Sequence, residues 1–227
     1  KDVRAILLEP LGRNTAPAIA AVSHYIKTLE NEDNIILVLP ADHQINNLQE
    51  FDLAISKAYS SASSGDLVTF GVEPTEPHTG YGYIKKGSEH VDFDLHEVEE
   101  FVEKPDMNKA EKFINSGEYL WNSGIFMFQV STYLNALKDF SPEIYSMTKM
   151  AIDNMEKDLD FVRIDKEFFE QSPSDSIDYA VMEKAISHNI TINVASLDAD
   201  WSDLGSWKSL WEKSSKDENS NLIKGDV

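Results

Sequence analysis

The residues able to do chemistry fall in short segments separated by apolar runs. Leu39-Pro-Ala-Asp-His43 ends a β-branched run with a carboxylate, Asp42, at the place where α/β sheets bind ligands. Such an Asp suits a hard cation that keeps several waters, and equally suits a cap on the next helix. His43 reads as a packed or hydrogen-bonding neighbour rather than a metal ligand. Asp203, within Asp200-Trp-Ser-Asp-Leu-Gly-Ser-Trp207, is a second candidate carboxylate; a loop before a cap at Ser206 accounts for the same pattern. Phe101-Val-Glu-Lys-Pro105 sets a carboxylate, Glu103, beside an ammonium, Lys104, ahead of a stiff Pro. That pair could hold sugar hydroxyls and a phosphate, or be a solvated ion pair.

Three further segments offer polar contacts. Thr79-Gly-Tyr-Gly-Tyr-Ile84 places Gly80, Tyr81 and Gly82 beside a strand, where glycine permits close approach to a ligand. Asn122, within Trp121-Asn-Ser-Gly-Ile-Phe126, carries both donors and acceptors and so suits vicinal hydroxyls. Glu9 to Ala18 runs from a strand through a glycine turn into a helix, and Arg13 and Asn14 there could meet an anion or a base edge. The bland alternatives are an aromatic core strand, a hairpin entry and an ordinary strand–helix turn with Thr15 as cap.

The elements that position these residues alternate. Apolar runs at 3–8, 34–39 and 66–71 read as strands, the latter two buried on both faces. Helical spacing runs over Thr15–Leu29, with Pro17 in the first turn, and over Leu48–Ser61. Strands are expected at 82–86 and 96–103, a helix capped by Asp106 to Ser116, and a strand at 120–130. Helical spacing then covers 131–157 with a break at Ser141-Pro142, followed by a helix at 176–187, a strand at 190–197 and a helix at 206–213. The order predicts an α/β fold, with right-handed crossovers and helices on both faces of a parallel sheet.

The chain has 227 residues, 41% of them apolar, enough for one large α/β domain. A net charge of −20 argues against nucleic acid and anionic membrane surfaces as partners. It also requires any phosphate site to draw on local cations. The absence of Cys excludes disulfides, thiolate catalysis and thiolate-bound zinc. No apolar run is long enough to span a bilayer, no signal-peptide pattern opens the chain, and a cytoplasmic setting is compatible. The first residue is Lys and a strand-like run follows at once, so the chain is expected to be a piece of a longer protein.

Taken together, Gly12-Arg-Asn-Thr-Ala-Pro17, Leu39–His43, Trp121–Phe126, Ser176-Ile-Asp-Tyr-Ala-Val-Met-Glu183 and Trp201–Trp207 resemble the bacterial mannose-1-phosphate guanylyltransferases often fused to a phosphomannose isomerase domain. The resemblance runs from about Ala5 to Trp211. It implies a three-layer α/β/α sandwich with a mainly parallel, Rossmann-like nucleotidyltransferase sheet over residues 1–213, and a linker or tail at 214–227. It implies that Asp42 and Asp203 hold Mg²⁺, that Lys104 contacts the sugar phosphate and acts with them in catalysis, and that Arg13, Asn14 and Asp42 lie on the nucleotide side. Gly80, Tyr81, Gly82, Glu103 and Asn122 are implied sugar contacts; Asp178 and Glu183 fall in the pattern without a role. The family's opening Gly-rich phosphate loop does not occur in these residues, so the expected domain is N-terminally truncated and inactive alone. The implied reaction joins mannose 1-phosphate and GTP into GDP-mannose and pyrophosphate, and a homodimer is compatible with it. Another hexose-1-phosphate nucleotidyltransferase, or a non-catalytic sugar-nucleotide-binding module, are the alternatives.

Overall fold

The computed structural model describes residues 3–29, 33–188, 190–204, 211, 216–217 and 220–222. The elements are, in chain order, β1 (Ile6–Leu8), α1 (Thr15–Leu29), β2 (Ile35–Val38), β3 (Gln44–Ile45), α2 (Leu48–Ser63), β4 (Leu67–Val72), β5 (Tyr83–His90), β6 (Leu95–Val102), α3 (Met107–Ser116), β7 (Tyr119–Gln129), α4 (Val130–Phe140), α5 (Pro142–Asp153), β8 (Glu156–Asp158), β9 (Phe161–Arg163), α6 (Lys166–Gln171), a π-helical turn (Asp178–Met182), α7 (Glu183–Ser187), β10 (Ile192–Ser196) and β11 (Trp201–Ser202). The helix expected at 206–213 and the tail at 214–227 lie almost wholly outside the described residues.

Helix ends follow local chemistry. Asp106 accepts from the Lys109 N–H and starts α3, and Gly117, at φ 70°, ends it in the left-handed conformation that glycine tolerates. Asn47 caps α2 by accepting from the Glu50 N–H. Pro142 ends the helical run of α4 and sits in the first turn of α5, where its missing N–H costs nothing.

The central sheet has the order β2-β7-β4-β10-β6-β5, with β5 also pairing to β7. Successive side chains of β7 face opposite layers. Phe126 and Phe128 join a core with Ile19 of α1, Tyr133 and Leu137 of α4 and Ala185 of α7. Ile125 and Met127 join a core with Ala54, Ala58 and Ala62 of α2. Helices thus cover both faces, as expected of an α/β fold.

Strand directions differ from the expectation. The sheet is mixed rather than mainly parallel: β4–β10 is parallel, whereas β2–β7, β4–β7, β6–β10, β5–β6 and β5–β7 are antiparallel. β2, β4 and β10 do share one direction, but β7 inserts between β2 and β4 running the other way. A strand covered on both faces shows a continuous apolar run whichever way it runs, so its direction leaves no trace in composition. β1 also departs from expectation. It pairs in parallel with β9 in a separate sheet, β1-β9-β8, rather than joining the central one. The helical spacing expected to 157 stops at Asp153, and the β8–β9 hairpin follows, turning at Leu159 with φ 55°.

Candidate active site

The start of β5 pairs with both the end of β6 and the first half of β7, so three strands meet there. Tyr83 lies opposite Val102 on one side and Trp121 on the other. The next residues outward are therefore neighbours: Gly82, Glu103 and Asn122. The Asn122 N–H donates to the Gly82 carbonyl at 2.8 Å, and the Lys104 N–H to the Tyr81 carbonyl at 3.2 Å. Gly82 has no room for a side chain. A Cβ there would meet Glu103 Oε2 at 2.5 Å and the Asn122 Cβ at 3.3 Å. Lys104 sits at φ 47°, uncommon outside glycine, with its ammonium 3.3 Å from the Glu103 carboxylate. Its side chain is exposed while that of Glu103 is largely covered, so the cation is the accessible half of the pair.

Behind this cluster stands Asp178, at the start of the π-helical turn. Asn122 Nδ2 donates to Asp178 Oδ1 at 2.9 Å. Burial first, then the Glu103 charge, pushes the Asp178 carboxyl above its usual range; hydrogen bonds from its own backbone, Asn122 and Ser176 oppose the shift. Glu183 is raised as well, by burial and then by Asp178 and Glu103. Sequence reasoning marked the Asp178 segment without giving it a task. The available signal was an acid set in an apolar helical run, between Ile177 and the buried Ala180-Val181-Met182. The widened turn that follows it is a geometry often found at functional sites.

The other half of the site forms at the end of β2. The two-residue ladder β3–β11 pairs Ile45 with Trp201 and Gln44 with Ser202, which brings Asp203 back to the Asp42-His43 loop. Trp201 Nε1 donates to His43 Nδ1 at 3.1 Å. Burial lowers the His43 pKa, and the Asp42 and Asp203 carboxylates both act against that shift, so both charges are felt at one imidazole. His43 is thus the hydrogen-bonding neighbour that was expected. The Tyr81 hydroxyl bonds Asp203; burial, then that carboxylate, pushes its ionisation above the ordinary tyrosine range. The Tyr81 ring packs against Trp121 at 5.1 Å and Trp201 at 5.8 Å and stacks on His78 at 3.9 Å. Tyr81 therefore joins the Gly82 cluster to the Asp42–Asp203 loops. Trp121 and Trp201 form this wall, a role the sequence did not reveal.

Two carboxylates and an exposed rim fit a hard divalent ion that also takes phosphate and water oxygens. Among the described residues no group of three or more acidic or histidine side chains could enclose a metal alone. Arg13 and Asn14 are engaged in backbone support. Arg13 Nη2 donates to the Glu170 carbonyl, and Asn14, at φ 68°, accepts from the Thr15 N–H at 2.8 Å. The helix they introduce is tied to the Asp178 segment, since the Ala16 N–H donates to the Asp175 carbonyl and the Ile177 N–H to Thr15 Oγ1.

A sheet with helices on both faces, carrying a carboxylate–ammonium pair and two further acids at one set of strand ends, is the setting in which nucleotides are handled. Residues 3–220 match the family model described as nucleotidyl transferase. The chain belongs to the nucleotidyl transferase family. Over 223 residues, 98% of the chain, it is 51% identical to the mannose-1-phosphate guanylyltransferase RfbM of Salmonella typhimurium, covering 46% of that protein. It is 50% identical over the same length to the xanthan biosynthesis protein XanB of Xanthomonas campestris, again covering 46%. The chain thus spans about half the length of these curated relatives. A crystal structure from Thermus thermophilus, described as a mannose-1-phosphate geranyltransferase, superposes with a TM-score of 0.77 at 32% identity, covering 90% of this chain and 56% of that one. No helix among the described residues is long and apolar enough to cross a membrane.

Proposed function

We propose that this chain carries the catalytic centre of a mannose-1-phosphate guanylyltransferase. The observation that carries the reading is the convergence of Glu103, Lys104 and Asn122 on Gly82, linked through Tyr81 to Asp203 and the Asp42 loop. Glu103 accepts from sugar hydroxyls, and Asn122 donates to one. Lys104, held outward by its left-handed backbone, pairs with the phosphate of mannose 1-phosphate. Tyr81 and the two tryptophans wall the passage between sugar and phosphates.

In the proposed reaction an oxygen of the sugar phosphate attacks the α-phosphorus of GTP in line. The new O–P bond forms as the bond to the β-phosphate bridging oxygen breaks, giving GDP-mannose and pyrophosphate. The nucleophile is already an anion, so no general base is required, and positioning with charge neutralisation does the work. Asp42 and Asp203 would hold Mg²⁺, which when bound draws charge from the phosphate oxygens. Arg13 and Asn14 brace the turn into α1 on the nucleotide side.

The test is pyrophosphate release by the full-length protein with four nucleoside triphosphates against mannose, glucose and galactose 1-phosphates. GTP with mannose 1-phosphate should give the highest kcat/KM. A preference for another pair would replace the substrate reading and leave the family standing.

A further inference from the structure

Asn122 is more constrained than a sugar-binding amide needs to be. Its Oδ1 accepts from the Gly124 N–H at 3.2 Å and lies 3.3 Å from Thr69 Oγ1, whose single proton is shared with the Ile125 carbonyl at 3.4 Å. The Gly124 N–H can only donate, so that end of the amide must be the oxygen. At the other end stands the Asp178 carboxylate, which in its ionised form can only accept, and it takes one proton of Nδ2 at 2.9 Å. A single N–H remains. Asn122 Nδ2 and Glu103 Oε2 lie 3.6 and 2.5 Å from one common point, the position a Cβ on Gly82 would occupy.

We infer that Asp178 is a positioning residue that sets the polarity of the sugar pocket: with the Gly124 N–H on the oxygen end, its shorter bond on the nitrogen end locks the Asn122 amide as a donor, so that one sugar hydroxyl is read by an Asn122 N–H and the Glu103 carboxylate together. A hydroxyl both accepts and donates, and this pair supplies one partner for each role. Neither an amide free to turn over nor two carboxylates alone would do so. The inference rests on the sugar-phosphate reading of this site. Burial and the Glu103 charge favour the protonated form of Asp178 and the bonds from Asn122 and Ser176 oppose them, but a carboxyl oxygen can accept from Asn122 Nδ2 in either form, so the lock stands on the geometry.

The experiment has two arms on the full-length protein. In the first, kcat and KM are measured for mannose 1-phosphate and its 2-, 3-, 4- and 6-deoxy analogues. The wild type should penalise loss of one particular hydroxyl by roughly 10–100-fold in kcat/KM, the scale of an unpaired buried polar group. Asp178→Ala should shrink that one penalty to about threefold, mainly through KM, whereas Asp178→Asn, whose amide oxygen can still accept from Asn122, should keep it. Equal loss on all sugars in both variants, or a full penalty retained in Asp178→Ala, overturns the inference. The second arm needs no turnover: the Asn122 side-chain amide in a ¹H–¹⁵N spectrum. One of its protons should be shifted downfield and protected from exchange in the wild type and Asp178→Asn, and neither in Asp178→Ala. Asp178→Ser replaces the alanine variant if that protein does not fold. An amide spectrum indifferent to position 178 refutes the lock. An intact lock in a protein that uses no hexose 1-phosphate refutes the proposed substrate and leaves the geometry standing.

Discussion

Gly82→Ala should separate the site from the scaffold. The added Cβ would lie 2.5 Å from Glu103 Oε2, so the carboxylate must retreat by at least about half an ångström to reach even a tight contact. Glu103 is the free end of a flexible side chain, so the retreat is cheap for the fold. Fewer unfolded conformations for Ala offset it further, and stability should stay within about 1 kcal/mol of wild type. The hydroxyl contact is not cheap to lose. A hydrogen bond to a charged group contributes about 1.5–3 kcal/mol, so kcat/KM for mannose 1-phosphate should fall roughly 10–100-fold. The KM for GTP should move little. Gly71→Ala is the control with the opposite outcome: its Cβ would meet Leu120 Cδ1 at 2.6 Å, Leu120 Cβ at 2.8 Å and Val194 Cγ2 at 2.9 Å inside the core. Such overpacking costs about 1–3 kcal/mol, read by urea unfolding. If Gly82→Ala keeps kcat/KM within about threefold, the placement of the Glu103 carboxylate does not matter and the sugar site is misassigned. If it unfolds as readily as Gly71→Ala, the glycine is structural.

Asp203→Asn and Asp42→Asn should each cut turnover at least ~100-fold and raise the Mg²⁺ concentration needed for half-maximal rate, with unfolding midpoints unchanged. An unaltered Mg²⁺ dependence refutes the pairing. His24 is buried, and burial lowers its pKa to about 4 from 6.5, only partly opposed by its bond to the Tyr145 carbonyl. The unfolded chain binds that proton first, so the stability is complete above pH 6.5 and is lost as pH falls toward 4. Between pH 7 and 4.5 the wild type should lose about 2–3 kcal/mol more than His24→Gln in urea titrations, and parallel losses would contradict it. Tyr133→Phe removes the hydroxyl that donates to the Ala16 carbonyl at 2.8 Å and should cost about 1–3 kcal/mol of stability with KM values unchanged.

What the sequence disclosed was local. α1 runs over Thr15–Leu29 as its spacing predicted, and α3 starts at the Asp106 cap, because caps and apolar periodicity act within a few residues. Strand direction and partner choice are settled by long-range packing, and so β7 between β2 and β4, and β1 on β9, left no local mark. The same division runs through the site. Glu103, Lys104 and Gly82 were visible because each is an odd residue type at a strand end. Asp203 could be named from the sequence, but its return to Asp42 depends on a ladder of two residue pairs, too short to carry a pattern. Asp178 was hidden because one acid in a helical stretch ordinarily faces solvent; only the fold turns it toward Asn122. The two tryptophans of the aromatic wall were hidden for a related reason, since Trp beside a strand looks like core, whereas Tyr81 stood out between two glycines.

We propose that the Asp42–Asp203 loops and the Gly82 cluster form one continuous site. A crystal structure of the full-length protein with GDP-mannose and Mn²⁺, with anomalous data at the manganese edge, tests it most directly. One anomalous peak is expected within about 2.5 Å of a carboxylate oxygen from both Asp42 and Asp203, with the mannose ring between Asn122 and Glu103 and its phosphate on Lys104. Manganese bound away from either carboxylate, or a sugar lodged elsewhere, would contradict it.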